Sequence, residues 1–439
     1  MADIKESSNR SKNVKKNVYF SVLLKVVGVG LSFLTLPLTL HYLTAVEYGV
    51  WITLFSIMNW INMLDIGIGL GMRNKLAEAV AKKNKEAAKI YISTGFFSIL
   101  CIAIVLFIVM VISISSVDIQ SVFNTKDISS KELYMSVLLT GIFVTISFVI
   151  GLINQIYYAF QKAAFTGLIS VVNGVLLLVI IYALTMRESH SLVYFVCGFG
   201  IAMIFSKVVF IVIFFEKHMD FIPAWRFLKI SKLKEITNMG IKFFVVQICC
   251  IVGFGFSNIL ITQLLGPEYV RTYDVVFKIF NVSVMIQNLV LAPLWSAYTD
   301  AFAKGDYQWI KRVFWKTCRM STVIVTGMVI VAFFVDELLY LWLSMHFTYS
   351  IWLIIGMVLY HTLSLFGGNC CMILNGIGRL DVQMYAWVIA ALLIVPTAYI
   401  FTHNIGMNIE GIIWALNGSM VILLTALSLD INRLFMKWK

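Results

Sequence analysis

Twelve stretches of mostly apolar residues follow one another through this chain, and each is near the length that spans a bilayer. They lie at roughly 17–42, 48–71, 90–115, 133–160, 163–186, 191–216, 237–265, 270–296, 316–341, 351–375, 383–402 and 409–430. A helix needs about 20 such residues to cross the hydrocarbon core. Backbone inside lipid must satisfy its own polar groups, and continuous runs of this length do so as helices. Composition agrees. Sixty per cent of residues are apolar, 13% are charged, and the mean hydropathy is +0.91. A soluble domain is about a quarter charged. The division between 133–160 and 163–186 rests on one short polar turn at Gln161-Lys162.

The net charge of +12 would suit nucleic acid, but its placement argues against such a partner. The tail before residue 17 carries five Lys or Arg, the loop 72–89 six, 217–235 five, 300–319 five and 433–439 three. Lys162 and Arg379 fall on the same side. The opposite side holds only Lys126, Lys131, Arg187 and Arg271. Cytoplasmic loops collect Lys and Arg, so both termini are expected in the cytoplasm, which requires an even number of spans. The apolar stretch after the basic tail is too long for a cleavable signal and reads as a true first span.

The chain also repeats itself at an offset of 221 residues: Asn17/Asn238, Leu43/Leu264, Glu47/Glu268, Tyr48/Tyr269 and Lys83/Lys304. The same order of helices and charged loops surrounds both copies. Six spans separate equivalent points, so the halves are expected to be parallel, two six-helix bundles related by a pseudo-two-fold along the membrane normal. The expected division is 1–216, a linker at 217–236, and 237–439. Repeats of this kind point to a transporter with a central cavity between the halves. In the linker, Phe221, Trp225 and Leu228 have helical spacing among Arg226, Lys229, Lys232 and Lys234. An amphipathic interfacial helix competes there with a solvated basic loop.

Absences narrow the function. No G-x-x-x-x-G-K-[ST] motif is present, so no ATPase is recognisable. Gly67, Gly69 and Gly71 follow no strand and read as small residues for close helix packing. All seven cysteines sit in or at the ends of predicted helices, without metal-ligand spacing. No cofactor and no metal is expected. The longest outer loop, about 116–132, is small for an enzyme acting on sugars outside the membrane.

A charge at mid-membrane costs at least about 2.5 kcal/mol on insertion scales. Inside the predicted spans lie Lys25, Asp65, Lys207, Lys242, Asp274 and Lys278. Four cations face two anions. Lys207 and Lys242 lie within three turns of the cytoplasmic end, where snorkelling competes with a place in the binding path. Lys25 sits in the first span, which should border the cavity. Asp274 and Lys278 are i, i+4, with Arg271 one turn earlier. A self-satisfied ion cluster competes with substrate binding, and two cations around one anion leave a positive excess. Asp65 has no i±4 cation and is the best candidate for a titrating carboxylate; a pair with Lys25 is the alternative. The candidate substrate-binding set is therefore Lys25, Lys242, Arg271 and Lys278, and the candidate coupling set Asp65 and Asp274. His361 reads as a hydrogen-bonded structural histidine or a proton carrier. Pro37, Pro293 and Pro396 mark candidate bends.

These residues resemble a known family. Tyr48-Gly-Val-Trp51 and Leu64-Asp-Ile-Gly-Ile-Gly-Leu-Gly-Met-Arg-Asn-Lys-Leu-Ala77 are similar to the early signature of the polysaccharide transporters, the O-antigen and capsule repeat-unit flippases. Ala292-Pro-Leu-Trp-Ser-Ala-Tyr-Thr-Asp-Ala301 with Lys304-Gly-Asp-Tyr-Gln-Trp309 resembles the matching signature after span 8, and Asn375-Gly-Ile-Gly378 the segment between spans 10 and 11. The resemblance implies the multidrug/oligosaccharidyl-lipid/polysaccharide exporter fold. It implies a secondary transporter of the bacterial inner membrane that is not an enzyme. Its substrate would be an undecaprenyl-diphosphate-linked oligosaccharide, moved from the cytoplasmic to the periplasmic leaflet. Membrane lipids, a polysaccharide polymerase and a chain-length regulator are the further partners it implies. Coupling to a proton or sodium gradient is a family expectation. Two rivals stand beside this reading: a multidrug exporter of the same fold, and a membrane-embedded glycan polymerase or ligase.

The charge distribution makes a topological prediction. Single cysteines placed in loops 72–89, 217–235 and 300–315 of a cysteine-free variant should be protected from an impermeant thiol reagent in intact cells. Those in 116–132 and 342–350 should label. External labelling of 300–315 would overturn the two-half arrangement.

Overall fold

The computed structural model describes residues 23–24, 26–63, 67–187, 190–237 and 256–438. Lys25, Asp65 and Lys242 lie outside these, as do Cys249 and Cys250. The described residues are helical throughout their regular elements, and nine helices among them are long and apolar enough to cross a membrane. The chain forms two compact units, residues 1–244 and 245–439.

The first unit contains α1 (Val26–Tyr42), α2 (Ala45–Met63), α3 (Ile68–Ala81), α4 (Lys85–Ser116), α5 (Ile119–Val122), α6 (Ser130–Ile150), α7 (Leu152–Ala159), α8 (Ala163–Thr185) and α9 (Leu192–Lys217). Polar side chains set the helix starts. Asn84 accepts from the Ala87 N–H at 2.9 Å to open α4, and Ser129 accepts from Glu132 at 3.2 Å to open α6. Glu132 in turn accepts from the Leu192 N–H at 3.0 Å and the Ser191 hydroxyl at 2.8 Å, so one carboxylate closes the start of α9. The turn at Gln161-Lys162 is present. Gln161 is left-handed (φ 57°), and the Lys162 N–H returns to the Tyr157 carbonyl at 2.8 Å. The stretch 48–71, expected as one helix, is interrupted at Gly67, whose φ of 72° only glycine adopts without strain; α2 is described to Met63, and α3 begins at Ile68.

Lipid contact is legible on α4. Ile104, Val105, Ile108, Val109 and Ile112 share one face and are each about half exposed, from 49% to 60%. Water would not tolerate so continuous an apolar face.

The linker does not follow its helical spacing. Phe221 and Trp225 lie in two separate 3-10 turns, Met219–Phe221 and Trp225–Phe227, and Leu228 ends the second. A regular helix, α10, forms only over Ile230–Thr237. Pro223 is the cause: it holds the preceding Ile222 extended (φ −55°, ψ 126°). The linker's backbone is instead stitched to α4. Ser93 accepts from the Ala224 N–H at 3.1 Å and Thr94 from the Lys229 N–H at 3.2 Å, and both hydroxyl residues are fully buried. Tyr91 donates to Glu235 at 3.1 Å. Lys85 pairs with Asp220 at 2.7 Å and holds that carboxyl below the usual range. Trp225 stacks edge-on against Phe97 with centroids 4.8 Å apart.

The second unit contains α11 (Ser257–Leu264), α12 (Pro267–Ala303), α13 (Tyr307–Phe333), α14 (Val335–Leu343), α15 (Ile351–Gly376), α16 (Asp381–Tyr399) and α17 (Ile409–Lys437). α17 packs on α15 and α16, and α12 on α15. The expected span 316–341 is displaced: its helix begins at Tyr307, where Asp306 accepts from the Trp309 N–H at 3.0 Å, and breaks at Phe334. α12 runs through Pro293 unbroken. Pro396 stays inside α16, and a π turn follows at Ile400–Asn404.

Gly71 reports how closely the linker docks: a Cβ there would run into the Ile236 carbonyl of α10. Gly71→Val should destabilise the protein by about 1–3 kcal/mol, read as a lower thermal midpoint in detergent. Trypsin should then cut faster at Lys229, Lys232 and Lys234.

Candidate functional site

In the first unit, α9 directs Lys207 inward. Its ammonium donates to the Ser147 carbonyl at 3.2 Å and to the Ser147 hydroxyl. The same carbonyl accepts from the Gly151 N–H at 2.8 Å, where α6 passes into α7. Lys207 therefore does not snorkel. Nearby, Arg73 of α3 lies over the Tyr158 ring, 4.6 Å from its centroid.

In the second unit the charges gather on α12. Lys278 donates to Asp274 one turn before it. Asp274 is 9% exposed, while the Lys278 side chain keeps about a third of its exposure. Arg271 reaches the segment after α14. Its Nη2 is 2.8 Å from Met345 Sδ, and its guanidinium is 5.6 Å from the Phe347 ring. Of the expected site residues, the structure thus joins Asp274 and Lys278 directly, and Arg271 also engages the chain around 345–347.

Along the same helix an aromatic seam meets α15. The His361 ring lies 4.8 Å from Phe277, 5.3 Å from Tyr360 and 6.0 Å from Phe280. His361 is fully buried. Its Nδ1 bonds to the Met357 carbonyl at 2.8 Å, and its Nε2 meets no hydrogen-bond partner among the described residues. With Nδ1 donating to a carbonyl, Nε2 carries a lone pair.

Further along α12, Gln287 joins three helices. Its Nε2 lies 2.9 Å from Ser321 Oγ on α13, and 2.8 Å and 3.0 Å from the Leu365 carbonyl and Asn369 Oδ1 on α15. Asn369 donates to Ser321 Oγ at 2.9 Å and approaches Cys318 Sγ at 3.7 Å. All three polar residues are at most 1% exposed. At the end of α17, buried Asp430 holds Arg379, with Nη2 to Oδ1 at 2.6 Å. Attention to charges within spans misses the amide network because none of its members is ionised. The available signal was an amide side chain well inside each of two expected spans, Gln287 in 270–296 and Asn369 in 351–375.

Residues 14–304 match the family described as polysaccharide biosynthesis protein. The "Putative O-antigen export protein" of Yersinia pseudotuberculosis is 20% identical over 362 residues, spanning 81% of this chain and 82% of its own length. The "Putative O-antigen transporter" of Salmonella typhimurium is 21% identical over 406 residues, spanning 88% and 89%. An inward-facing multidrug resistance MATE family transporter of the MOP superfamily has the same fold, with a TM-score of 0.76 at 17% identity over 94% of this chain and 98% of that one. A MOP superfamily transporter from Pyrococcus furiosus, described by the reverse polarity of its binding pocket, gives 0.67 at 17% identity over 96% of each chain.

Breaking the amide network should be costly because it strands buried partners. Gln287→Ala and Asn369→Ala should each lose about 1–3 kcal/mol, and the double variant less than their sum. Thermal unfolding in detergent measures all three.

Proposed function

We propose, from the premise that the chain belongs to the polysaccharide biosynthesis protein family, that it is a flippase for undecaprenyl-diphosphate-linked oligosaccharide repeat units. The observation that carries this reading is the match, over more than four fifths of each chain, to relatives named as an O-antigen export protein and an O-antigen transporter. The charge balance supports it: Lys25, Lys207, Lys242 and Lys278 stand against Asp65 and Asp274 in the membrane-embedded stretches. A diphosphate headgroup needs cations along its path. A charged, hydrated headgroup does not cross about 30 Å of hydrocarbon unaided.

In this reading the protein sits in the bacterial inner membrane with both termini in the cytoplasm. It carries its substrate to the periplasmic leaflet by alternating access of two halves. Lys25, Lys242, Arg271 and Lys278 hold the diphosphate. Asp65 and Asp274 are the carboxylates that couple transport to an ion gradient, and the Asp274–Lys278 pair moderates the positive charge of α12. A polymerase and a chain-length regulator receive the product. The fold alone would also suit a multidrug exporter, but cationic drugs want an acidic path and this one is net positive.

Two measurements test the proposal. A strain lacking the protein should accumulate the lipid-linked repeat unit on the cytoplasmic side and display no long surface polysaccharide. Single repeat units capped at the surface of that strain, with no second flippase present, would favour a polymerase instead. Lys278→Glu should reduce surface polysaccharide about tenfold or more, the weight of a charge-assisted hydrogen bond of about 1.5–3 kcal/mol. Lys278→Arg should retain most of it, since the charge matters more than the shape.

A further inference from the structure

Three cations converge on one cleft of the second unit, where the turn after α15 meets the end of α17. Arg379, Arg433 and Lys437 line it with Leu434 and Met436, and it encloses about 420 Å³. Arg433 and Lys437 are one helical turn apart and share a face. Arg379 is aimed from the other side by Asp430, which is 2% exposed and binds one guanidinium nitrogen. Asp430 pairs with Arg379, and the lining itself holds three cations and no carboxylate, so the cleft is net positive. The carbonyl end of α17 would oppose an anion, but it is already engaged. Lys311 donates to the Phe435 carbonyl at 2.8 Å and reaches the Trp438 carbonyl at 3.5 Å, and the Trp438 N–H returns to Leu434 at 3.1 Å.

The approach to the cleft is mainly apolar, broken by exposed Thr425 and Asn432. Val421, Leu429 and Met436 lie on one face of α17 and are 48%, 54% and 62% exposed. Tyr385, near the start of α16, is 64% exposed, as aromatic residues at a membrane interface are. A hydrocarbon chain lying along the α17 face would deliver its headgroup to the cations.

We propose that this cleft is a headgroup site for a lipid-borne phosphate of the leaflet on the Lys-rich side. Arginine presents parallel donors that match phosphate oxygens, and lysine adds a point charge. Basic pockets at the ends of spans take anionic lipid headgroups on these terms. Two lipids carry the chemistry: an anionic phospholipid and a prenyl diphosphate. The inference does not depend on the transport reading, because the site would bind the same headgroup in a protein that moved nothing.

The test uses the full chain in phosphatidylcholine nanodiscs doped with phosphatidylglycerol or undecaprenyl diphosphate, with retained lipid counted by native mass spectrometry. The wild type should retain the doped anionic lipid over phosphatidylcholine. The Arg433→Gln, Lys437→Gln double variant should lose about fivefold for each cation removed, and Arg433→Lys should keep most of the retention. Arg379 is left intact because its loss would strand buried Asp430. Retention of phosphatidylglycerol identifies the occupant as bulk anionic lipid. Retention of undecaprenyl diphosphate alone identifies a prenyl diphosphate, and retention of both a general phosphate site. Equal retention of phosphatidylcholine by the wild type, or undiminished anionic retention by the double variant, would overturn the proposal.

Discussion

Lipid offers a buried polar group nothing to bond to, and this molecule is arranged around that lack. Packing two apolar helices in hydrocarbon gains little from expelling water. Specificity must come from close fit and from the few polar atoms that find one another. Ser93 and Thr94 give their hydroxyls to the linker's backbone. Ser147 takes Lys207. Gln287, Ser321 and Asn369 satisfy one another across three helices. Asp430 is buried because Arg379 reaches it. In each case the polar side chain names which neighbour a helix must have, a choice that the apolar faces leave open.

The same physics decides what can be read from the chain. Helix existence is legible because spanning segments are long and apolar, and even the thin divider at Gln161-Lys162 marks a true break between helices. Ends are less legible. α13 starts at Tyr307 although Lys311 and Arg312, ahead of the expected span, look like loop. Those long side chains reach water from a helix, so charge density overstates the length of the connection. The linker fails differently. Its apolar residues have helical spacing, and one proline overrides the pattern.

Partners are the least legible of all. Asp274 and Lys278 share a helix, so their pairing could be anticipated from spacing. Lys207 and Ser147 are 60 residues apart, and Gln287 and Asn369 are 82 apart; nothing local announces either pair. The family signature shows the same split. Its glycines looked like packing residues, and Gly71 is one, admitting the Ile236 carbonyl. Gly67 is instead the point where a helix is interrupted. Arg73, from the same signature, settles on Tyr158.

The stitching of the linker to α4 also sets a length. α4 has 32 residues, about 48 Å at 1.5 Å per residue, far more than a hydrocarbon core of about 30 Å. The linker claims the helix as far as Thr94 with hydrogen bonds and Phe97 with a ring contact. What remains beyond that contact, from about residue 98 to Ser116, is about 28 Å long. The linker thus works as a depth stop. It fixes how far this helix can sink and so selects the bilayer thickness the protein fits without tilting or thinning its surroundings. A thicker membrane would pull against Ser93 and Thr94, so the linker contacts would register the bilayer itself.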